Sequence, residues 1–309
     1  MRLLLLGCTG FVGRELLPLL LQAGHQLTVV SRRLARGYDA ERASGALTWL
    51  QLDPASTTSW QDAELLDALK QADGVVNLAG EPIAEKRWSP THLRVLEASR
   101  LETTRLLVEA MGALPTPPGV LVNASAIGFY GTSTTARYVE TSPSGTDFLA
   151  SLCQRWEAAA AAVPAGTRLV TVRIGIVLAA DGGALGKMLP VFRTGFGGPI
   201  GSGQQWMSWI HRTDLCALIA QSLEDQSLNG VINAVAPEPV SMAAFSKQLG
   251  RSLGRPSLLP VPGPVLHVLL GDGAKVVLEG QQVCSERLES IGFSFRYPTL
   301  ASALDAATS

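Results

Sequence analysis

Three glycines at intervals of three residues follow the first apolar segment of the chain. Residues 7–13 read G-x-x-G-x-x-G, between the apolar run 3–6 and a helical pattern of leucines. A strand that turns through glycines into a helix lets backbone N–H groups approach a diphosphate, whose charge the helix N-terminus attracts. An ordinary glycine turn is the alternative. We expect a dinucleotide to contact Gly7, Thr9, Gly10, Phe11, Val12 and Gly13.

A pair of arginines follows the next apolar segment. Residues 26–30 have the composition of a second strand, and Ser31, Arg32 and Arg33 come directly after it. Proteins that prefer NAD usually place an acidic residue here, on the ribose hydroxyls, whereas arginine favours a 2′-phosphate. These three residues therefore predict a site for NADP(H). The alternative is that both arginines are solvated surface charges.

Two further strands end in residues that suit a nucleotide site. Residues 47–52 lead to Asp53, and residues 74–78 lead to Ala79 and Gly80. In a doubly wound parallel sheet, the carboxyl ends of such strands border the adenine and its ribose. We expect further cofactor contacts from Leu52, Asp53, Leu78, Ala79, Gly80 and Glu81.

The order of strands and helices predicts the fold class. Strand-like segments alternate with helical ones from the N-terminus, and Ser89-Pro90 is a typical start for the long helix that follows. The alternation predicts an α/β protein with a Rossmann-type doubly wound parallel sheet and a small C-terminal substrate lobe. We expect an NADP-binding domain at 1–175, with its sheet completed by 204–235, and the smaller lobe at 176–203 and 236–309.

The composition argues against several classes of protein. The 309 residues are 47% hydrophobic and 17% charged with a net charge of -1, which fits a globular protein without the basic excess of a nucleic-acid binder. The four cysteines lie far apart, so we expect neither a disulfide framework nor a metal site. The leucine-rich stretches are too short for a signal-peptide core or for a membrane span of about 20 apolar residues. We expect a soluble, cytoplasmic protein.

Several segments along the chain match a known family. They are LAGEPIAEKRW (78–88), SRLETTRLLVEA (99–110), SGQQWMSWIHRTDL (202–215), NAVAPEPV (233–240) and GFSFRYP (292–298). Over essentially its entire length the chain resembles the atypical epimerase-like branch of the extended short-chain dehydrogenase/reductases. The extended pattern TGxxGxxG is similar to the sequence that starts at Thr9, and the match fails at its last position, Leu16. The branch includes cyanobacterial and plastid proteins labelled division inhibitors.

The resemblance implies a catalytic pair that this chain lacks. Standard members protonate a carbonyl with a tyrosine whose pKa is lowered by a lysine four residues later on the same helix face. None of the four tyrosines has a lysine at that spacing. In the helical segment 147–163, where the pair is expected, Leu149 and Cys153 take its places. The standard mechanism is therefore absent, and we interpret Cys153 as a small core residue.

Two other groups could contribute near the cofactor. Ser125 lies close to the serine that the family uses, although counting back from Tyr130 places it one residue early. We name Ser125 as the candidate catalytic residue. Glu157 lies on the helix that would carry the missing pair, where it could accept a hydrogen bond from the nicotinamide ribose or face water. We name Glu157 as a candidate cofactor ligand.

Candidate substrate contacts are spread over the loops. Basic and aromatic side chains there suit a phosphate or a ring, but they equally suit surface and packing roles. His211 and Asp214 are possible general bases. A strand that ends at His211, followed by a helix capped by Thr213 or Asp214, explains the segment better. The candidate substrate residues are Arg87, Trp88, Tyr130, Lys187 and Trp206.

Two classes of function remain open. The first is an NADP(H)-dependent oxidoreductase or epimerase-like enzyme that acts on a small polar or sugar-nucleotide substrate with an acid other than tyrosine. The second is a catalytically silent sensor or scaffold that binds NADP(H) and engages a protein partner, for which the resemblance implies a role in cell or plastid division. The cofactor region favours the first, and the missing tyrosine–lysine pair favours the second.

Overall fold

The computed structural model describes residues 1–34 and 37–308 of the chain. The first strand forms at the apolar run, and Leu3, Leu4, Leu5 and Leu6 are all buried, as a strand covered on both faces requires. Within the described residues the strands are β1 (Arg2–Leu6), β2 (Gln26–Ser31), β3 (Leu47–Gln51), β4 (Gly74–Asn77), β5 (Val120–Ala126), β6 (Arg137–Tyr138), β7 (Arg168–Ile174), β8 (Ile176–Leu178), β9 (Trp206–Met207), β10 (Trp209–His211), β11 (Gly230–Ala234), β12 (Val240–Ser241) and β13 (Gln282–Val283).

The helices begin where the sequence supplies capping residues. The described α-helices are α1 (Gly13–Gln22), α2 (Asp39–Ala43), α3 (Ala63–Gln71), α4 (Pro90–Gly112), α5 (Phe148–Ala161), α6 (Gly183–Arg193), α7 (Arg212–Glu224), α8 (Met242–Ser252), α9 (Gly263–Leu270), α10 (Lys275–Leu278), α11 (Glu286–Ser290) and α12 (Leu300–Thr308). The Ser89 hydroxyl caps α4 by accepting a hydrogen bond from the His92 N–H, and Pro90 takes the first helical position, as expected. Among the described helices, none has both the length and the apolar character needed to cross a bilayer.

Seven of the described strands form one parallel sheet, in the order β11-β7-β5-β4-β1-β2-β3. β4 pairs with one side of β1 and β2 pairs with the other, so the strand order reverses at β1. Open α/β sheets bind their ligands outside the carboxyl ends of the strands at such a switch point. The Rossmann-type α/β fold predicted from the sequence is confirmed.

Two apolar layers hold the sheet from both sides. Leu3 and Leu5 belong to one buried cluster and Leu4 and Leu6 to the other, because successive side chains of a strand point to opposite faces. α1 and α7 supply the first layer, whereas α3 and α4 supply the second. A third cluster is built from α6, α8, α12 and β10. These layers fix the relative positions of the strand ends.

Short strands lie outside the main sheet. β10 pairs with β8, β9 with β12, and β13 with β6. The range 204–235 therefore supplies one edge strand, β11, to the main sheet, while its first part pairs in small sheets. The division into a cofactor domain, 1–175, and a lobe at 176–203 and 236–309 stays a prediction.

The turn between β1 and α1 excludes side chains at two of its glycines. A Cβ atom on Gly7 would lie 2.4 Å from the backbone nitrogen of Ala79, and one on Gly13 would lie 1.9 Å from the carbonyl oxygen of Cys8. Gly7 also has a φ of 74°, which residues with a Cβ rarely adopt. The backbone is therefore too closely packed to admit a side chain at either end of the turn, Gly7 or Gly13. Leu16, at the place of the last glycine of the family pattern, is a buried side chain of α1.

We expect the Gly13→Ala variant to lose more than about 2 kcal/mol of its free energy of unfolding, because the backbone of Cys8 must move to admit the methyl group. The matched control is Gly112→Ala at the C-terminal end of α4, where an added Cβ meets nothing within 4 Å. Alanine favours a helix over glycine by up to about 1 kcal/mol. Urea unfolding measures both variants, and equal stability would contradict the steric account.

Candidate functional site

The carboxyl ends of β1 and β4 meet at the switch point. The close approach of Gly7 to Ala79 leaves no room for a side chain between them. The backbone N–H of Leu78 donates to the Leu6 carbonyl at 2.9 Å, which continues the pairing beyond the end of β4. The structure thus brings the predicted residues Leu78, Ala79 and Gly80 beside the glycine turn.

The first turn of α1 has no side-chain cap. Val12, the residue before the helix, has helical φ and ψ angles and no side-chain cap. Arg14 and Glu15 donate their N–H groups to the carbonyls of Gly10 and Val12, whereas within residues 1–34 and 37–308 the N–H groups of Val12 and Gly13 have no protein acceptor. These N–H groups and the helix dipole suit an anion. A Cβ on Gly10 would meet only the Gly7 carbonyl oxygen within 4 Å, at 3.6 Å. The outer side of the turn is therefore open to a ligand.

Phe11 joins the glycine turn to the loop before α6. A Cβ on Gly182 would lie 2.7 Å from the Phe11 ring, and the Arg212 guanidinium lies 4.9 Å from the centroid of that ring. Arg212 also forms ion pairs with Glu15 at 2.7 Å and with Asp181 at 2.6 Å. Through these contacts, the turn, α7 and the loop before α6 support one another.

Ser31 organises the turn that carries the arginine pair. Its buried hydroxyl accepts a hydrogen bond from Trp49 Nε1 at 2.9 Å and donates to the Arg33 carbonyl oxygen at 2.5 Å. The hydroxyl is thus used within the protein. Both arginine side chains are exposed, and Arg32 Nη2 lies 3.7 Å from a Glu81 carboxylate oxygen. The turn presents two cations at the end of β2.

The predicted acidic residues at the ends of β3 and β4 have different surroundings. Asp53 is exposed and accepts a hydrogen bond from the Ala55 N–H, while Leu52 donates its N–H to the Ser31 carbonyl. Glu81 is largely buried and accepts a hydrogen bond from Lys86 at 2.9 Å. That bond lowers the pKa of the Glu81 carboxyl. Glu81 is thus a carboxylate that two cations already neutralise.

The residues in the places of the missing tyrosine and lysine are an apolar leucine and an uncharged cysteine. A Cβ on Gly128, just beyond β5, would lie 3.4 Å from Leu149 Cβ and 4.0 Å from Cys153 Sγ. Leu149 and Cys153 of α5 therefore face the end of β5, as the family resemblance implies. Burial raises the pKa of the Cys153 thiol to about 11. At neutral pH Cys153 is a protonated thiol and a poor nucleophile.

A polar row crosses the ends of three neighbouring strands. Ser125 of β5, Arg173 of β7 and Asn233 of β11 are paired in register. Arg173 donates from Nε and Nη2 to the two oxygens of Glu157, each at 2.8 Å, and Ser125 donates to the same carboxylate at 2.6 Å. Glu157 of α5 is therefore the partner of Arg173 and Ser125. The hydroxyl of Ser125, the candidate catalytic residue, is therefore used as a donor within this hydrogen-bond network.

Tyr130 extends the same network into the interior. Its hydroxyl accepts a hydrogen bond from Arg173 Nη1 at 2.9 Å and donates to Asn233 Oδ1 at 2.7 Å. Only 2% of Tyr130 is exposed, and burial raises the pKa of its hydroxyl. The structure thus places this candidate substrate residue inside the protein.

Comparison with known families decides the relationship of the chain. A family model described as the NAD dependent epimerase/dehydratase family matches residues 3–234, and one described as a domain of unknown function (DUF1731) matches residues 261–307. The chain belongs to the NAD dependent epimerase/dehydratase family. The resemblance stated from the sequence is confirmed at this level.

Known proteins match this family member over nearly its whole length. The chloroplastic Epimerase family protein SDR39U1 homolog of Arabidopsis thaliana is 43% identical over 97% of this chain and 84% of its own length. A crystal structure of human epimerase family protein SDR39U1 with NADPH is 39% identical, with a TM-score of 0.88, and the match covers 100% of this chain and 99% of that one. A nucleoside-diphosphate sugar epimerase from Corynebacterium glutamicum is 30% identical, with a TM-score of 0.76, over 99% of this chain and 57% of that one.

Four of the candidate substrate residues of this epimerase-family chain lie on the loop after β4, on α6 and in β9, and each donates a hydrogen bond to a backbone carbonyl. Lys187 Nζ donates to Ala84 at 2.9 Å, and Arg87 Nη1 donates to Val268 at 3.3 Å, which ties the loop after β4 to α6 and α9. The indole N–H groups of Trp88 and Trp206 donate to Ile83 and Thr134. Arg87 and Lys187 are exposed, whereas both tryptophans are partly buried.

His211 and Asp214 serve the structure of α7. Nδ1 of His211 accepts a hydrogen bond from the Thr213 N–H, so His211 itself caps the helix, and the expectation of a Thr213 or Asp214 cap is corrected. The buried Asp214 accepts from the N–H groups of Arg296 and Tyr297. Burial lowers the pKa of His211. In the part of the chain that the structure describes, no His, Cys, Asp and Glu side chains are grouped to hold a metal ion.

The sequence interpretation overlooked Arg173 and Arg212 as organising residues of this family member. Arg173 is a charged residue inside the otherwise apolar segment of β7, and only 4% of its side chain is exposed. A lone arginine in a predicted buried strand is a signal, because a buried charge needs a partner. The partner could not be named from the sequence, since Glu157 lies on a different element.

We expect Glu157→Gln to lower the free energy of unfolding by about 3 kcal/mol, because it leaves Arg173 buried without a negative partner. The matched control is Glu97→Gln, which removes the partner of Arg155 on the surface of the same helix α5. Exposed pairs contribute about 0–1 kcal/mol. Chemical unfolding of both variants at neutral pH gives the comparison. Losses of equal size would show that the Arg173–Glu157 pair is not the stronger contact.

Proposed function

We propose that this chain binds NADP(H) at the carboxyl edge of its sheet. The observation that carries the proposal is the glycine turn, which is pressed against Ala79 and followed by the uncapped start of α1. Backbone N–H groups at such a turn suit a diphosphate. The similarity to the human relative whose crystal structure contains NADPH supports the choice of cofactor.

Different parts of the edge would hold different parts of the cofactor. The turn from Gly7 to Gly13 would hold the diphosphate, and Arg32 and Arg33 would pair with the 2′-phosphate. Leu52, Asp53, Leu78, Ala79, Gly80 and Glu81 would border the adenosine. When bound, the cofactor supplies a hydride donor or acceptor at its nicotinamide.

The nicotinamide end of the proposed site favours binding over tyrosine-dependent reduction. Leu149 and Cys153 stand where a proton donor would be needed, and the Cys153 thiol holds its proton with a pKa of about 11. The Ser125 hydroxyl donates a hydrogen bond to Glu157, and Tyr130 is buried. We therefore propose an NADP(H)-binding sensor or scaffold that does not reduce carbonyls by the standard route.

An epimerase-like oxidoreductase is the second candidate. Membership of the epimerase family and the similarity to a nucleoside-diphosphate sugar epimerase favour it. The exposed side chains of Arg87 and Lys187 and the partly buried rings of Trp88 and Trp206 are the groups that would contact a small molecule or a sugar nucleotide. A protein partner in cell or plastid division remains part of the sensor proposal, and a cytoplasmic location remains a proposal beside the chloroplastic relative.

A turnover screen separates the two candidates. The chain is first saturated with NADPH, as established by a binding titration, and then mixed with carbonyl and sugar-nucleotide compounds. Loss of nicotinamide absorbance would identify an oxidoreductase. Because an epimerase regenerates its cofactor, chromatography of the sugar nucleotides must accompany the absorbance. Saturable binding without change in either readout supports the sensor.

We expect the double variant Arg32→Glu/Arg33→Glu to bind NADPH at least about tenfold more weakly, because two cations beside the 2′-phosphate become anions. NADH lacks that phosphate and serves as the control within the same protein. Its dissociation constant should change less than about threefold. Isothermal titration of both cofactors gives the ratio, and an equal loss for NADPH and NADH would reject the assignment of the 2′-phosphate.

A further inference from the structure

Arg100 of α4 lies against the end of β4. A Cβ atom on Gly80 would lie 3.0 Å from the guanidinium carbon of Arg100, so the side chain crosses directly over this glycine. The guanidinium also lies 5.3 Å from the centroid of a Trp156 ring on α5. Arg100 thus occupies the space between the end of β4 and α5.

All the hydrogen-bond partners of Arg100 are neutral. Its Nη2 donates to the Glu81 carbonyl at 3.0 Å, and its Nη1 donates to the Leu96 carbonyl at 3.1 Å and to the Ser99 hydroxyl at 3.4 Å. Within residues 1–34 and 37–308, no carboxylate oxygen lies within 4.0 Å of it, in contrast to the ion pairs of Arg173. Burial lowers the pKa of the Arg100 guanidinium, as expected for a cation without a close anion.

The neighbouring carboxylates are already neutralised. Glu81 pairs with Lys86 at 2.9 Å and lies 3.7 Å from Arg32, while Glu157 pairs with Arg173 at 2.8 Å. An arginine side chain remains protonated at neutral pH. Arg100 therefore contributes an uncompensated positive charge at this part of the carboxyl edge.

We propose that Arg100 makes the site prefer NADPH to NADP+. The inference rests on the proposed function, in which the nicotinamide end of the site lies at the α5 side chains Leu149 and Cys153. Cys153 is one turn of α5 away from Trp156, whose ring the Arg100 guanidinium faces. The nicotinamide ring is positively charged when oxidised and neutral when reduced, so a fixed cation repels only the oxidised form. Unit charges about 10 Å apart at an effective dielectric constant of about 20 change a dissociation constant roughly tenfold.

The test compares dissociation constants for NADPH and NADP+, measured by isothermal titration on the full chain. We expect the parent chain to bind NADPH at least about tenfold more tightly, and Arg100→Gln to lose most of this preference. Arg100→Lys keeps the charge and should keep most of the preference. The control is Arg105→Gln, which removes one positive charge from the exposed surface of the same helix and should leave the ratio unchanged.

A second pair of cofactors tests the same inference independently of Arg100 variants that fail to fold. The parent chain and the Arg32→Glu/Arg33→Glu variant should both prefer NADH to NAD+ by a similar factor, because the effect arises at the nicotinamide. A chain that binds none of these dinucleotides contradicts the proposed function itself. Equal affinity for oxidised and reduced forms, or a preference that survives in folded Arg100→Gln, overturns only the role of Arg100.

Discussion

The close approach of β1 to β4 is the constraint on which the edge of the sheet depends. Gly7 can lie against the backbone of Ala79 only because it has no side chain, and Gly13 can begin α1 against Cys8 for the same reason. This contact directs the uncapped start of α1 towards the switch point. The remaining features of the edge, from the arginine turn to the polar row, are arranged around that fixed position.

Charge compensation divides the same edge into two parts. At the ends of β5, β7 and β11, Glu157 neutralises Arg173 and accepts a hydrogen bond from Ser125, while the Tyr130 hydroxyl bridges Arg173 and Asn233. Such a network ties three strands together, and its hydroxyl and carboxylate groups are used within the protein. At the ends of β2 and β4 the cations outnumber the carboxylates. One part therefore stabilises the fold, and the other suits an anionic ligand.

The sequence predicted the features that depend on neighbouring residues. The apolar run of β1, the glycine turn, the Ser89 cap and the arginine pair are all local, because strand, turn and capping preferences act over a few residues. The network was not predictable, because its partners are distant in the chain, as Tyr130 and Asn233 are by 103 residues. Tyr130 stood beside a glycine motif and suggested a substrate contact, whereas its burial depends on β11 and β13, which the local sequence does not reveal.

The absence of the tyrosine–lysine pair and the uncompensated charge of Arg100 act in the same direction. Hydride loss turns the neutral nicotinamide ring into a cation, so a fixed positive charge nearby raises the free energy of the oxidised state relative to the reduced one. A neutral leucine and a protonated thiol in the places of the catalytic pair add nothing that would stabilise a developing alkoxide. On our proposal, both features keep the reduced cofactor bound and unreacted, which is what a sensor of the reduced state requires and what an efficient reductase would avoid.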